Sequence, residues 1–134
     1  MKYLAALIFA ILASVTAASH GDPSPYEHPN VTWILVSLDG KPFPASATLT
    51  FPETGRIAGQ APCNRYFAEM RAEYPWFKAE RIGATRMACP DLDHETAYFT
   101  ALSEMTLAYV EGEDLILASD AGREMVFTVA PRSG

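Results

Sequence analysis

Two cysteines, Cys63 and Cys89, stand 26 residues apart, each among residues capable of chemistry. Asn64 and Arg65 follow the first; Arg86 precedes the second, and Asp91, Asp93, His94 and Glu95 follow it. Three kinds of chemistry fit these types. A cysteine just ahead of a helix can lose its proton to the helix dipole and act as a nucleophile. Acids beside a histidine can ligate a metal or run acid-base catalysis. Arginines beside an asparagine can hold an anion, so Asn64, Arg65 and Arg86 form a candidate anion or partner contact, set against ordinary surface ion pairing.

The acid cluster has a simpler explanation. Consecutive helical residues radiate about 100° apart, so residues 91–95 do not converge on one ion, and acids collect at helix starts because the dipole is positive there. His20 and His28 lie in a proline-rich stretch with no fixed geometry, and two histidines alone are weak ligands. The chain has no glycine-rich phosphate loop, nucleophile elbow, HExxH or CxxC. No metal and no cofactor are expected, and no catalytic residue is assigned.

The compartment bears on the cysteines. Lys2, an apolar run from Tyr3 to Ala13 and small residues through Ala18 read as a cleavable signal peptide over residues 1–18, too short for a membrane span. Neither cysteine lies at the cleavage point, so no lipid anchor is expected, and the destination is the periplasm or the exterior. In an oxidising compartment two cysteines most simply pair as Cys63–Cys89, the alternatives being a reactive thiol or reduced structural thiols. The net charge is −6, and −7 once Lys2 is lost. No Lys/Arg cluster interrupts that balance in sequence, which argues against nucleic acid or an anionic membrane as partner.

The elements that must position these residues follow from periodicity. Residues 19–30 carry three prolines and no period and read as a linker. Trp33–Leu38 is a buried strand ending at Asp39-Gly40. Residues 47–51 and 56–59 form a hairpin with Leu49, Phe51 and Ile57 inward, and Gly59 and Pro62 break it. Tyr66 and Phe67 begin a strand, Trp76 belongs to the core or its edge, and residues 77–82 alternate again. A helix spans Pro90–Met105, with Tyr98, Leu102 and Met105 on its buried stripe and Leu92 and Phe99 flanking it. Three strands near 105–110, 115–118 and 125–129 close the chain.

The order Trp33-x-Leu35, Leu49-x-Phe51, Gly59-x3-Cys63-Asn64-x-Tyr66, Thr85-x-Met87-Ala88-Cys89, Glu95-x3-Phe99-x2-Leu102 and Leu115-x-Leu117 resembles the META domain, or HslJ-like heat-shock, family. One departure stands out: Pro62 fills the place where the family commonly has glycine before Cys-Asn. The resemblance covers residues 31–130. It implies an α+β fold, a curved antiparallel sheet or partial barrel of about seven or eight strands with one main helix packed across it. It also implies a small bacterial envelope protein linked to heat shock and antibiotic tolerance, with no catalytic residues to carry over. The resulting expectation is an exported, monomeric, non-enzymatic protein that binds a small apolar ligand, a peptide or an envelope protein between helix and sheet. The alternative is a thiol-dependent or acid-base hydrolase using Cys89 or the Asp91–Glu95 helix start.

Overall fold

The computed structural model describes residues 24–131. The expected signal peptide and His20 lie outside them. The strands are β1 (Trp33–Leu38), β2 (Lys41–Pro42), β3 (Thr48–Glu53), β4 (Gly55–Gln60), β5 (Arg65–Met70) and β6 (Glu80–Ala84). After the helix α1 (Leu92–Glu104) come β7 (Leu107–Glu111), β8 (Asp114–Ala118) and β9 (Glu124–Val129). They form one antiparallel sheet in the order β6-β5-β4-β3-β1-β9-β8-β7, with the two-residue β2 hung on β1. The α+β reading holds.

The sheet curls far enough for its two ends to touch. Ala108 N–H of β7 donates to the Pro75 carbonyl at 2.8 Å, and Phe77 N–H donates to the Thr106 carbonyl at 2.9 Å. Residues leading into β6 thereby cover the free edge of β7, which would otherwise be a template for another strand. Alternation along this bridge turns Phe77 inward and Trp76 outward. Trp76 is 61% exposed, which corrects its expected place in the core or at its edge.

Leu49, Phe51 and Ile57 are fully buried as their alternation requires, and Tyr98, Leu102 and Met105 meet them from the helix. Each such large side chain stabilises the fold by roughly 1.5–3 kcal/mol through burial. The helix begins at Leu92, two residues later than expected, and Leu92 faces solvent. Its buried stripe includes Glu95 instead.

Two local readings change. Gly59 does not break its strand; it lies within β4, where a Cβ would overlap the Thr48 carbonyl oxygen, so only glycine allows β3 and β4 to approach there. From Ser24 onward the proline-rich segment is not a free linker. Pro25–Glu27 forms a 3-10 turn capped by Ser24, and the Tyr26 ring packs on Phe51 and Tyr74, 4.9 and 5.3 Å between centroids. Its hydroxyl donates to the Trp76 carbonyl at 2.6 Å.

Candidate functional site

Cys63 and Cys89 form a disulfide, with their Cα atoms 5.7 Å apart. It ties the loop before β5 to the residues entering α1. Inside this tie, Glu95 is 6% exposed and Asn64 3%. Glu95 Oε1 accepts from the backbone N–H groups of Cys63 (2.9 Å) and Asn64 (2.8 Å), and Oε2 accepts from Asn64 Nδ2 (2.8 Å). Asn64 Oδ1 in turn accepts from Met87 N–H (2.6 Å) and the Thr85 hydroxyl (2.9 Å), while Nδ2 also donates to the Met87 carbonyl (3.1 Å). Reading Glu95 only as a dipole partner therefore missed its main role. The cue in sequence was a glutamate three residues before Tyr98, on the helix's apolar stripe.

The remaining members of the acid cluster diverge, as helix geometry requires. Asp93 is exposed, Asp91 precedes the helix without a side-chain cap, and the His94 ring lies against Phe43 at 6.1 Å. Below the clasp, the Tyr66 and Tyr98 hydroxyls meet at 2.6 Å and converge on the Thr48 carbonyl. Burial pushes both phenols well above their ordinary range. Of the candidate anion contacts, Asn64 faces inward and its side chain is bonded within the chain. Arg65 and Arg86 stay exposed, and the backbone N–H of Thr85, next to Arg86 in sequence, donates to the Arg65 carbonyl at 3.1 Å.

The open surface lies elsewhere. A groove of about 580 Å³ runs between the 3-10 turn, the β3–β4 turn and the end of β5. Tyr26, Phe51, Met70, Ala72 and Tyr74 line its apolar floor, with Arg56, Arg71, Glu53 and Glu73 among its polar residues. This is not the expected groove between helix and sheet; helix residues do not line it. Two shallower grooves, about 470 and 380 Å³, continue from Arg56 across the outer face of β4 and β5. Their charged lining is Arg56, Arg65, Arg71 and Arg81 against Glu53 and Glu69. The fold thus gathers a basic face that is scattered in sequence. Its signal was the alternation Arg65-x-Phe67-x-Glu69-x-Arg71, which places those four residues on the outward side of one strand.

A curled antiparallel half-barrel crossed by one helix and clasped by a disulfide defines a small α+β domain class. The META domain model matches residues 27–132, and the chain belongs to that family. At least three solved structures share the fold, among them the following two. An NMR structure of a protein from Burkholderia xenovorans is 24% identical, covers 83% of this chain and 93% of its own, and superposes with a TM-score of 0.64. A crystal structure of a DUF4847 family protein from Bacteroides vulgatus is 13% identical, covers 78% and 96%, and has a TM-score of 0.60. No curated protein matches the sequence.

Proposed function

We propose that this META domain protein is an exported, non-enzymatic binding protein of the bacterial envelope, contributing to the stress tolerance that the family resemblance implies. The observation that carries the reading is the apolar groove beside Tyr26, Met70 and Tyr74, whose volume of about 580 Å³ lies within the range of ligand sites. Export is supported by the disulfide. Among the described residues no helix is long and apolar enough to cross a membrane. The hydrolase alternative has little to work with. The Cys89 sulfur is bonded to Cys63, and Glu95 spends both oxygens on Cys63 and Asn64.

Native mass spectrometry of the purified protein tests the reading directly. An adduct carried by the wild type and lost in Ala72→Trp, which fills the groove, is the expected result. An adduct held equally by both proteins would place the ligand elsewhere and refute it.

A further inference from the structure

Arg81 is an arginine in a conformation that favours glycine. Its φ is +54°, at the irregularity where β5 and β6 shift register between Phe67 and Glu69. Such a bulge re-aims a side chain, and a strained non-glycine residue kept at one is a pointer to use. The side chain is 83% exposed and reaches Glu69 at 3.6 Å, which Arg71 also meets at 3.3 Å. Across the sheet, Arg56 pairs in register with Glu69 and bonds Glu53 at 3.3 Å. Its guanidinium lies 5.1 Å from the centre of the Phe67 ring, and that ring covers Gly83, where a Cβ would collide with it. Arg56, Arg65, Arg71 and Arg81 thus line the grooves that hold the Phe67 ring, with Glu53 and Glu69 among them, while Glu80, opposite Glu69, is paired with Lys78 at 3.1 Å.

Glu53 and Glu69 orient the arginines without exhausting them. Each guanidinium has five donors. Arg56 and Arg71 each give one hydrogen bond to a side chain, and Arg81 only its looser contact with Glu69. Arg123, just before β9, gives three. The face is positive on a chain whose total is −6, so its field complements an acidic partner. Its shape selects the kind of partner. Arg65 and Arg71 are six residues apart on one extended stretch, about 20 Å, and the grooves follow that line. A membrane surface would call instead for projecting apolar anchors beside the cations. Among the described residues, Phe67, 48% exposed, is the one large exposed apolar side chain that lines these grooves, and a single ring is fewer anchors than an interfacial belt uses; Trp76, the most exposed aromatic, lies outside them.

We propose that the outer face of β4, β5 and β6 docks an extended acidic polypeptide segment along β5, its carboxylates on Arg56, Arg65, Arg71 and Arg81 and an apolar side chain on Phe67. The proposal deepens and rests on the binding-protein reading of this end of the barrel, but it does not require the apolar groove to be filled.

Fluorescence anisotropy with a labelled decapeptide of alternating glutamate and serine around one phenylalanine tests it, with a lysine-for-glutamate peptide as control. Saturable binding of the acidic peptide alone is expected, weakening about tenfold or more between roughly 50 and 300 mM NaCl. Arg65→Glu with Arg81→Glu should weaken it a further tenfold or more. Arg81→Gly relieves the backbone, so it should raise the thermal midpoint while weakening the peptide, a split that a purely structural role would not produce. Several results would overturn the proposal: equal binding of both peptides, full affinity in the double variant, or displacement by inorganic phosphate as effective as by unlabelled peptide. Sedimentation with phosphatidylglycerol vesicles in place of peptide binding would overturn it in favour of a lipid surface. Neither Arg65 nor Arg81 lines the apolar groove, so the double variant should keep the groove adduct while losing the peptide, and failure of either reading can be told from failure of the other.

Discussion

The clasp and the arginine face meet at one strand, β5, and differ in where their polar atoms find partners. Asn64, entering the strand, turns inward and bonds Glu95, Thr85 and Met87. Arg65, Phe67 and Arg71 along the same stretch turn outward, and their bonding groups are largely left to solvent. Burial makes the difference consequential. A buried group without a partner costs about 1–3 kcal/mol, so a fold that keeps Asn64 and Glu95 inside must answer all their bonds. Exposed arginines carry no such obligation, and each ion pair they make contributes under about 1 kcal/mol. The region richest in reactive residue types is thus the one whose polar atoms are already bonded within the chain, and the proposed recognition lies on the plainer face.

Removing the clasp should have the largest effect on stability. Cys63→Ser with Cys89→Ser opens a loop whose closure is worth about 3.5 kcal/mol in the chain-entropy model, and chemical denaturation should show a loss of that order. Glu95→Ala is next, at about 3 kcal/mol, because it strands the N–H groups of Cys63 and Asn64 and one amide proton of Asn64. Asn64→Asp, nearly identical in shape, should cost as much. Met87 N–H and the Thr85 hydroxyl fix which oxygen faces them, so the second carboxylate oxygen would confront Glu95 and the Met87 carbonyl. A midpoint within about 0.5 kcal/mol of wild type for Glu95→Ala would show that water replaces its bonds and that the clasp is not sealed.

Much of this was legible beforehand, for a definable reason. Leu49, Phe51, Ile57, Tyr98 and Leu102 obey simple periods, and the periods put them in the core where they are found. The Cys63–Cys89 pairing followed from count and compartment. What periodicity does not encode is which distant residues meet. Arg56, Arg65 and Arg81 lie on three strands and Arg71 just past the end of β5, and only the sheet register makes them neighbours. Glu95 was misjudged because a glutamate near a helix start has a sufficient local explanation, and its partners lie 31 and 32 residues away. Trp76 was misplaced because an aromatic run reads as core, whereas the bridge to β7 gives the inward position to Phe77.

The arginine face should respond in the opposite sense to the clasp. Arg56→Ala and Arg71→Ala should each move stability by no more than about 0.5 kcal/mol, since their pairs with Glu53 and Glu69 are exposed. A loss above about 1.5 kcal/mol in either would mean that these arginines hold the fold, and the contrast would collapse.

A third charged cluster, more exposed than the clasp and more fully bonded than the arginine face, can be isolated by pH. Arg123 donates to Asp39 through Nε and Nη2 and to Glu104 through Nη1, while Glu124 N–H donates to Asp39 Oδ1. The guanidinium, with that backbone bond, holds the Asp39 carboxyl below its usual range. A depressed folded pKa means that the charged form is favoured in the native state. Its stabilising share is therefore present above the ordinary carboxylate range and is lost as pH falls through the lowered value. Asp39 is 42% exposed, so solvent screening keeps the share small. Arg123→Ala should lower the thermal midpoint at about pH 7, and the gap from wild type should narrow towards about pH 2 as Asp39 is protonated in both proteins. A gap that stays constant with pH would mean that Arg123 acts through the packing of its stem rather than through its charge.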